Sequence, residues 1–281
     1  MAGPRVGYRS ELAGSYPRVG PGLAAGPTVP QVTPGAAVLV STAGFLAGAV
    51  NALAGGGTLV AFPALLAVGV PPVTANITCS VGLLTGYAGG SVAYRRELVG
   101  QGPRARGLVI AGLLGGLVGA VLLLLTPGDG FRAVVPYLVL LACLLLAVQP
   151  RVAALLADRG VAADHPGWQA QVAIGVGAVY GAYFGAGLGV VMLAVLGILV
   201  SDGLQRLNAL KGLLSLVINL VAALVYAIAG RVDWLAAGLL SVGAVLGAAA
   251  GVGLARRLPA EVVRVGIVVT GVVVGVVLLL T

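Results

Sequence analysis

Asn208, Lys211, Ser215 and Asn219 follow one another at steps of three, four and four residues. On an α-helix that spacing sets all four on one face. The rest of the stretch, RLNALKGLLSLVINL (206–220), is almost entirely Leu, Val, Ala and Ile. Lys211 is the only lysine in the chain; the other cationic side chains are arginines. A polar stripe on such a helix must face other helices or a watery cavity, because lipid leaves it unsatisfied. An ammonium there is a point charge with three donors, suited to an oxyanion. No acidic residue falls in the interior of an apolar stretch, and the acid nearest Lys211 is Asp202. A second reading stays open. Lys211 lies five residues past Arg206, roughly 7–8 Å along a helix, and a lysine can snorkel about that far to an interface.

Two glycine clusters are the other candidate chemistry. AGGGT (54–58) and GAGLG (185–189) each precede a short apolar run, 57–69 and 189–201. A helix that restarts inside a membrane offers backbone N–H groups at its N-terminus, where an anion is favoured. Gly55, Gly56, Gly57 and Thr58 would do this once, and Gly185, Gly187 and Gly189 a second time. Asn51, just before the first cluster, would line or gate the site. Close helix packing is the competing reading for glycine, as in the four-residue stripes Gly177–Gly181–Gly185–Gly189 and Gly243–Gly247–Gly251. Asn76 and Asn208 are polar in apolar stretches, each either a ligand group or interhelical glue, and Thr78 adds polarity beside Asn76.

The elements that carry these residues are membrane helices. The chain is 59% hydrophobic and 9% charged, against about 25% charged in soluble domains, and its mean hydropathy is +1.10. Ten apolar segments are expected, at 35–54, 57–69, 73–94, 107–126, 132–149, 168–187, 189–201, 206–229, 233–254 and 260–280. Residues 1–34 have no apolar core of a signal peptide and are expected to form a disordered extension; residues 35–281 form the membrane domain. Arginines crowd the gaps 95–106, 150–167 and 255–259, which alternation puts on one side, the cytoplasmic one. The charge of +8 is therefore a topology signal and not a nucleic-acid footprint. Cys79 and Cys143 both lie in apolar runs, and His165 is the single histidine. No metal-ligand spacing exists, so no metal site or cofactor is expected.

A shift of 132 residues superposes Asn76 on Asn208, Tyr94 on Tyr226, Gly55 on Gly187, Gly57 on Gly189, Gly115 on Gly247 and Gly119 on Gly251. Two halves follow, about 35–149 and 168–281. Five segments per half is odd, so the halves have opposite orientations. The fold class expected is an all-α polytopic transmembrane bundle of two five-segment inverted repeats with short broken helices. Such repeats place a substrate site at their interface.

NALAGGGTLVAFPALLAVGVPPVTANITCSVGLLTGYAGGSVAYRREL (51–98) and GAYFGAGLGVVMLAVLGILVSDGLQRLNALKGLLSLVINL (181–220) resemble the paired motifs of the sulfite exporter TauE/SafE family. The resemblance covers about 35–281. It implies a multi-pass plasma-membrane permease for a small anion, with members linked to sulfite, sulfonates and related organosulfur compounds.

There is no GxxxxGK[ST] phosphate loop, HExxH or nucleophile elbow, so neither ATP hydrolysis nor an intramembrane enzyme is expected. The expected function is secondary transport of a small anion by alternating access, with Lys211, Asn76 and Asn208 converging between the two glycine breaks. Gly56, Gly57, Thr58, Gly187, Gly189, Asn51, Thr78 and Ser215 complete the expected site. A passive anion channel and a non-transport membrane scaffold are the rival readings. The partners expected are the substrate anion and the bilayer, with no nucleic acid; a homodimer is left open.

Overall fold

The computed structural model describes residues 33–53, 56–157, 167–200, 202–229, 231–254 and 260–280. Gly55, most of the expected extension 1–34, and the arginines at 159, 256 and 257 lie outside them. The described residues form eleven helices and no strand: α1 (Pro34–Leu53), α2 (Thr58–Ala67), α3 (Pro72–Gly82), α4 (Leu84–Ala93), α5 (Gly102–Leu125), α6 (Gly128–Ala157), α7 (Trp168–Tyr183), α8 (Leu188–Leu199), α9 (Leu204–Ala229), α10 (Trp234–Leu254) and α11 (Ala260–Leu280). This is an all-α polytopic bundle.

One expected segment becomes two. The run 73–94 is interrupted at Leu83, between α3 and α4. The Leu83 N–H still reaches the Cys79 carbonyl, and its own carbonyl accepts from both Gly86 and Tyr87. The turn tightens without unwinding. Its counterpart α9 is continuous over 26 residues.

Helices α2 and α8 have 10 and 12 residues, so they rise only about 15–18 Å and cannot cover a hydrocarbon core of about 30 Å. Four helical stretches are long and apolar enough to cross a membrane: Pro34–Asn51, Gly102–Leu125, Gly128–Arg151 and Gln205–Ala229. Large apolar side chains face outward around the bundle, among them Leu114, Leu125, Leu144, Ile228, Val265 and Val273. In water such a surface would aggregate; in a bilayer it is the solvated one.

Packing follows the glycines. The most extensive contacts pair α1 with α10 and α5 with α7. A Cβ on Gly44 would strike Leu240, and one on Gly48 would strike Ala244. Likewise Gly115 meets Gly175, and Gly119 meets Val179. These backbones touch directly, which only a missing side chain permits. Gly243 and Gly247, from the sequence stripe, press on Ser41 and Phe45.

The same contacts give the helix directions. Numbers rise together along α1 and α10, and along α5 and α7. Gly82 and Gly86 follow Leu240 and Ala244, so α3–α4 also runs with α10. Gln101 meets Arg206, and Gly116 meets Ile218, so α9 runs with α5. Thr78 meets Asp233 while Ser91 lies beside Gly212, so α3–α4 and α9 are antiparallel. Helices α1, α3–α4 and α10 therefore run one way, and α5, α7 and α9 the other. Cys143 and Leu140 of α6 face Gly271 and Gly275 of α11, an antiparallel pair.

Candidate functional site

The first break is closed by a side chain. Asn51, at the end of α1, accepts with Oδ1 from the N–H groups of Gly56 and Gly57, at 3.0 and 2.8 Å. The two donors expected to be offered to an anion are thus already engaged, and Asn51 is a capping residue of the break. A short polar side chain at a helix start satisfies donors the helix leaves unpaired. The Asn51 Nδ2 that this bond orients is buried and turned toward the Tyr87 hydroxyl. Thr58, the first residue of α2, is buried. Its side chain and that of Asn51 both face the Tyr87 hydroxyl.

The second break is closed from the carbonyl side. The Tyr226 hydroxyl donates to the Ala182 carbonyl at 2.6 Å, Asn76 Nδ2 to the Tyr183 carbonyl at 2.8 Å, and the Tyr180 hydroxyl to the Ala186 carbonyl at 2.7 Å. Gly187 sits in the left-handed region, φ 76°, where a side chain is strained. Among the described residues no hydrogen bond is made by the N–H groups of Gly187 and Gly189. These open α8, so the donor end of a helix dipole points into the break.

The two breaks meet. A Cβ on Gly185 would lie 3.7 Å from Thr58 Oγ1. Phe62 of α2 packs edge-on against Phe184, with ring centroids 5.6 Å apart. Asn76 and Thr58, from the first half of the chain, therefore both reach the 183–185 turn of the second. Asn76 is fully buried, and its Oδ1 has no hydrogen-bond partner.

Other expected members lie elsewhere. Thr78 Oγ1 accepts from the Asp233 N–H at 3.1 Å and so fastens the start of α10. Lys211 is half-buried beside Gly212, which lies against Ser91 at the far end of α4. Asn76 and Ser91 are 15 residues apart along α3–α4, roughly 20 Å. Lys211 and Asn208 thus sit at a different depth from Asn76, and the expected convergence of these three does not occur. The reason is the antiparallel packing: Asn76 and Asn208 are each the fifth residue of their helices, so reversing one helix sends them to opposite ends. Ser215 is buried with an unpartnered hydroxyl, and Asn219 donates to its carbonyl at 2.8 Å. Lys211 pairs with no carboxylate among the described residues.

At that far end the halves are tied by charge. Asp202 Oδ2 accepts from Arg104 Nη1 and Arg206 Nε, both at 2.9 Å, while Oδ1 takes the Gly203 N–H. Gln101 adds bonds to the Glu97 and Arg206 carbonyls.

Tyr87, Tyr180, Tyr183 and Tyr226 are the site residues the sequence reading passed over. Their signal was present: a phenol hydroxyl inside an apolar run must find a partner, and all four lie in such runs.

Paired helices of opposed direction around two short, broken segments define a polytopic membrane protein with a central interface between halves. The chain belongs to the sulfite exporter TauE/SafE family, whose model matches residues 40–278. It is 26% identical over 226 residues to "Probable membrane transporter protein ORF9" of Sinorhizobium sp, covering 79% of this chain and 84% of that one. Identity to "Probable membrane transporter protein YfcA" of Escherichia coli K12 is 26% over 230 residues, 81% and 84% of the two chains. A "Probable membrane transporter protein" of Haemophilus influenzae is 26% identical over 205 residues, 73% and 79%. No solved structure matches. The protein is a multi-pass membrane transporter of a family of permeases.

Proposed function

We propose that the protein carries a small anion, sulfite or a related organosulfur anion, across the plasma membrane by alternating access. The halves 35–149 and 168–281 are an inverted repeat, with the arginine-rich face in the cytoplasm. Substrate sits where the breaks meet, among Asn51, Thr58, Asn76, Gly187 and Gly189. The observation that carries this reading is the reach of Asn76 and Thr58 across to the 183–185 turn: a site shared by both halves can be exposed to either side as the halves move. The donors at the α8 start favour an anion. Every carboxylate among the described residues, from Glu97 to Glu261, lies at a helix end or in a connection, so no fixed negative charge opposes it. Lys211, one depth away, draws the anion in from the arginine-rich face.

The test is flux in proteoliposomes with sulfite, thiosulfate, sulfate and taurine. Saturable uptake with counterflow of at least one of them is expected. Linear, non-saturating conductance would make the protein a channel, and absence of flux for every anion would remove the substrate class.

A further inference from the structure

The substrate class can be narrowed from the two orphan groups at the breaks, and this step rests on the anion-carrier reading above. Asn76 cannot turn its amide over. Nδ2 donates to the Tyr183 carbonyl at 2.8 Å, and a flipped amide would set oxygen against oxygen. Its Oδ1 therefore faces elsewhere, fully buried and without a partner. Four hydroxyls on the surrounding helices are committed to other acceptors. Ser80 donates to the main-chain carbonyl of Asn76, Tyr226 to Ala182, Tyr180 to Ala186, and Tyr183 to Thr126 Oγ1.

The open N–H groups of Gly187 and Gly189 are the complement. Asn51 is already engaged: its Oδ1 is fixed by the N–H groups of Gly56 and Gly57, and its Nδ2 is turned toward the Tyr87 hydroxyl. Thr58 also faces that hydroxyl and lies against Gly185. A buried group left unpaired carries its full desolvation penalty. A ligand that relieves both Asn76 Oδ1 and the α8 N–H groups must accept hydrogen bonds and also give one.

We infer that the transported anion carries its own hydrogen-bond donor: an oxyanion bearing an O–H group, whose donor is taken by Asn76 Oδ1 while the α8 N–H groups take its oxygens. Donorless anions of the same size and charge leave Asn76 Oδ1 buried and unpaired. A site built around a substrate donor rejects analogues that lack it far more strongly than an apolar pocket rejects a methyl.

Two isosteric pairs test this in proteoliposomes of the full chain. Hydrogen sulfite at mildly acidic pH is compared with methanesulfinate, where a methyl replaces the O–H. Isethionate is compared with propane-1-sulfonate, where a methyl replaces the O–H at equal charge. The expected result is at least a tenfold preference, in kcat/KM, for the donor-bearing member of one pair; which pair shows it tells whether the O–H sits on sulfur or on a carbon chain. The preference should vanish in Asn76→Leu, and if that variant does not fold, the wild-type comparison decides alone. Saturable flux with no preference in either pair overturns the inference and leaves the anion-carrier reading standing. It would mean that water satisfies Asn76. No saturable flux of any of the four anions overturns both.

Discussion

Helices α3–α4 and α9 occupy equivalent places in the two halves, yet they are built differently. The first is broken at Leu83, and its polar residues are bonded into the opposite half: Asn76 to Tyr183, Thr78 to Asp233, and Thr85 to Ser241. The second runs unbroken and carries Lys211, Ser215 and Asn219, with Asn219 bonded to its own turn. One is a structural hub at the breaks; the other presents charge at the arginine-rich end. The repeat supplies the scaffold, and its matched residues end in different surroundings. Inversion explains why equivalent residues do different work, since it sends each position to the opposite depth.

The strongest way to break this comparison is to treat Asn76 and Asn208 alike. Asn76→Leu removes a bond to a buried carbonyl, at a cost of about 1–3 kcal/mol, and should lower transport by more than tenfold. Asn208→Leu, half-buried near the other end, should lower it less than threefold. Equal losses, measured as flux per folded protein, would restore a symmetric site.

Next in size is the charged tie at the arginine-rich face. Asp202→Asn removes the negative charge between Arg104 and Arg206 and leaves one oxygen for the three donors that Asp202 serves, in side chains only 14% to 40% exposed. The two arginines are then left facing each other, so thiol labelling of a cysteine placed at Gln205 should rise several-fold. Asp233→Asn, on the opposite face, keeps the oxygen that caps Ala236 and should leave labelling of its own face nearly unchanged. A rise in both variants would show that the two faces are held alike.

Lys211→Gln comes third. If Lys211 draws anions in from a distance, KM rises a few-fold, kcat holds, and the KM difference from wild type shrinks at high salt, because screening removes the attraction. A loss confined to kcat would place the ammonium on the substrate instead. Tyr226→Phe is smallest. It leaves the Ala182 carbonyl without its 2.6 Å donor and should lower thermal stability by about 1 kcal/mol. Its repeat counterpart, Tyr94→Phe, sits half-buried in the turns after α4 and should be silent in the same melt.

Much of the scaffold was legible in the sequence because hydropathy and glycine spacing act locally. Nine of the ten apolar segments correspond to single helices, and the stripe at Gly243 and Gly247 is a packing seam, as its spacing suggests. The break at Leu83 was hidden: LLTGY holds no proline, and the distortion is a tightened turn against α10. The site was legible in composition but not in depth. Asn51, Asn76, Thr58 and the glycines were identifiable as polar or backbone-exposing residues in apolar runs. Whether Lys211 met Asn76 depended on how far two antiparallel helices overlap, and no local pattern encodes that. Asn51 illustrates the same limit: its place just before the glycines suggested lining or gating, while its carbonyl turned out to cap them.

The central claim is that the anion sits where the breaks meet, held by Asn76 and not by Lys211. The most direct measurement is equilibrium binding of radiolabelled sulfite to the purified transporter, compared between Asn76→Leu and Lys211→Gln at saturating salt, where long-range attraction is screened. The account predicts binding lost in Asn76→Leu and close to wild type in Lys211→Gln. Binding intact in Asn76→Leu and lost in Lys211→Gln would contradict it and move the site to the arginine-rich end of α9.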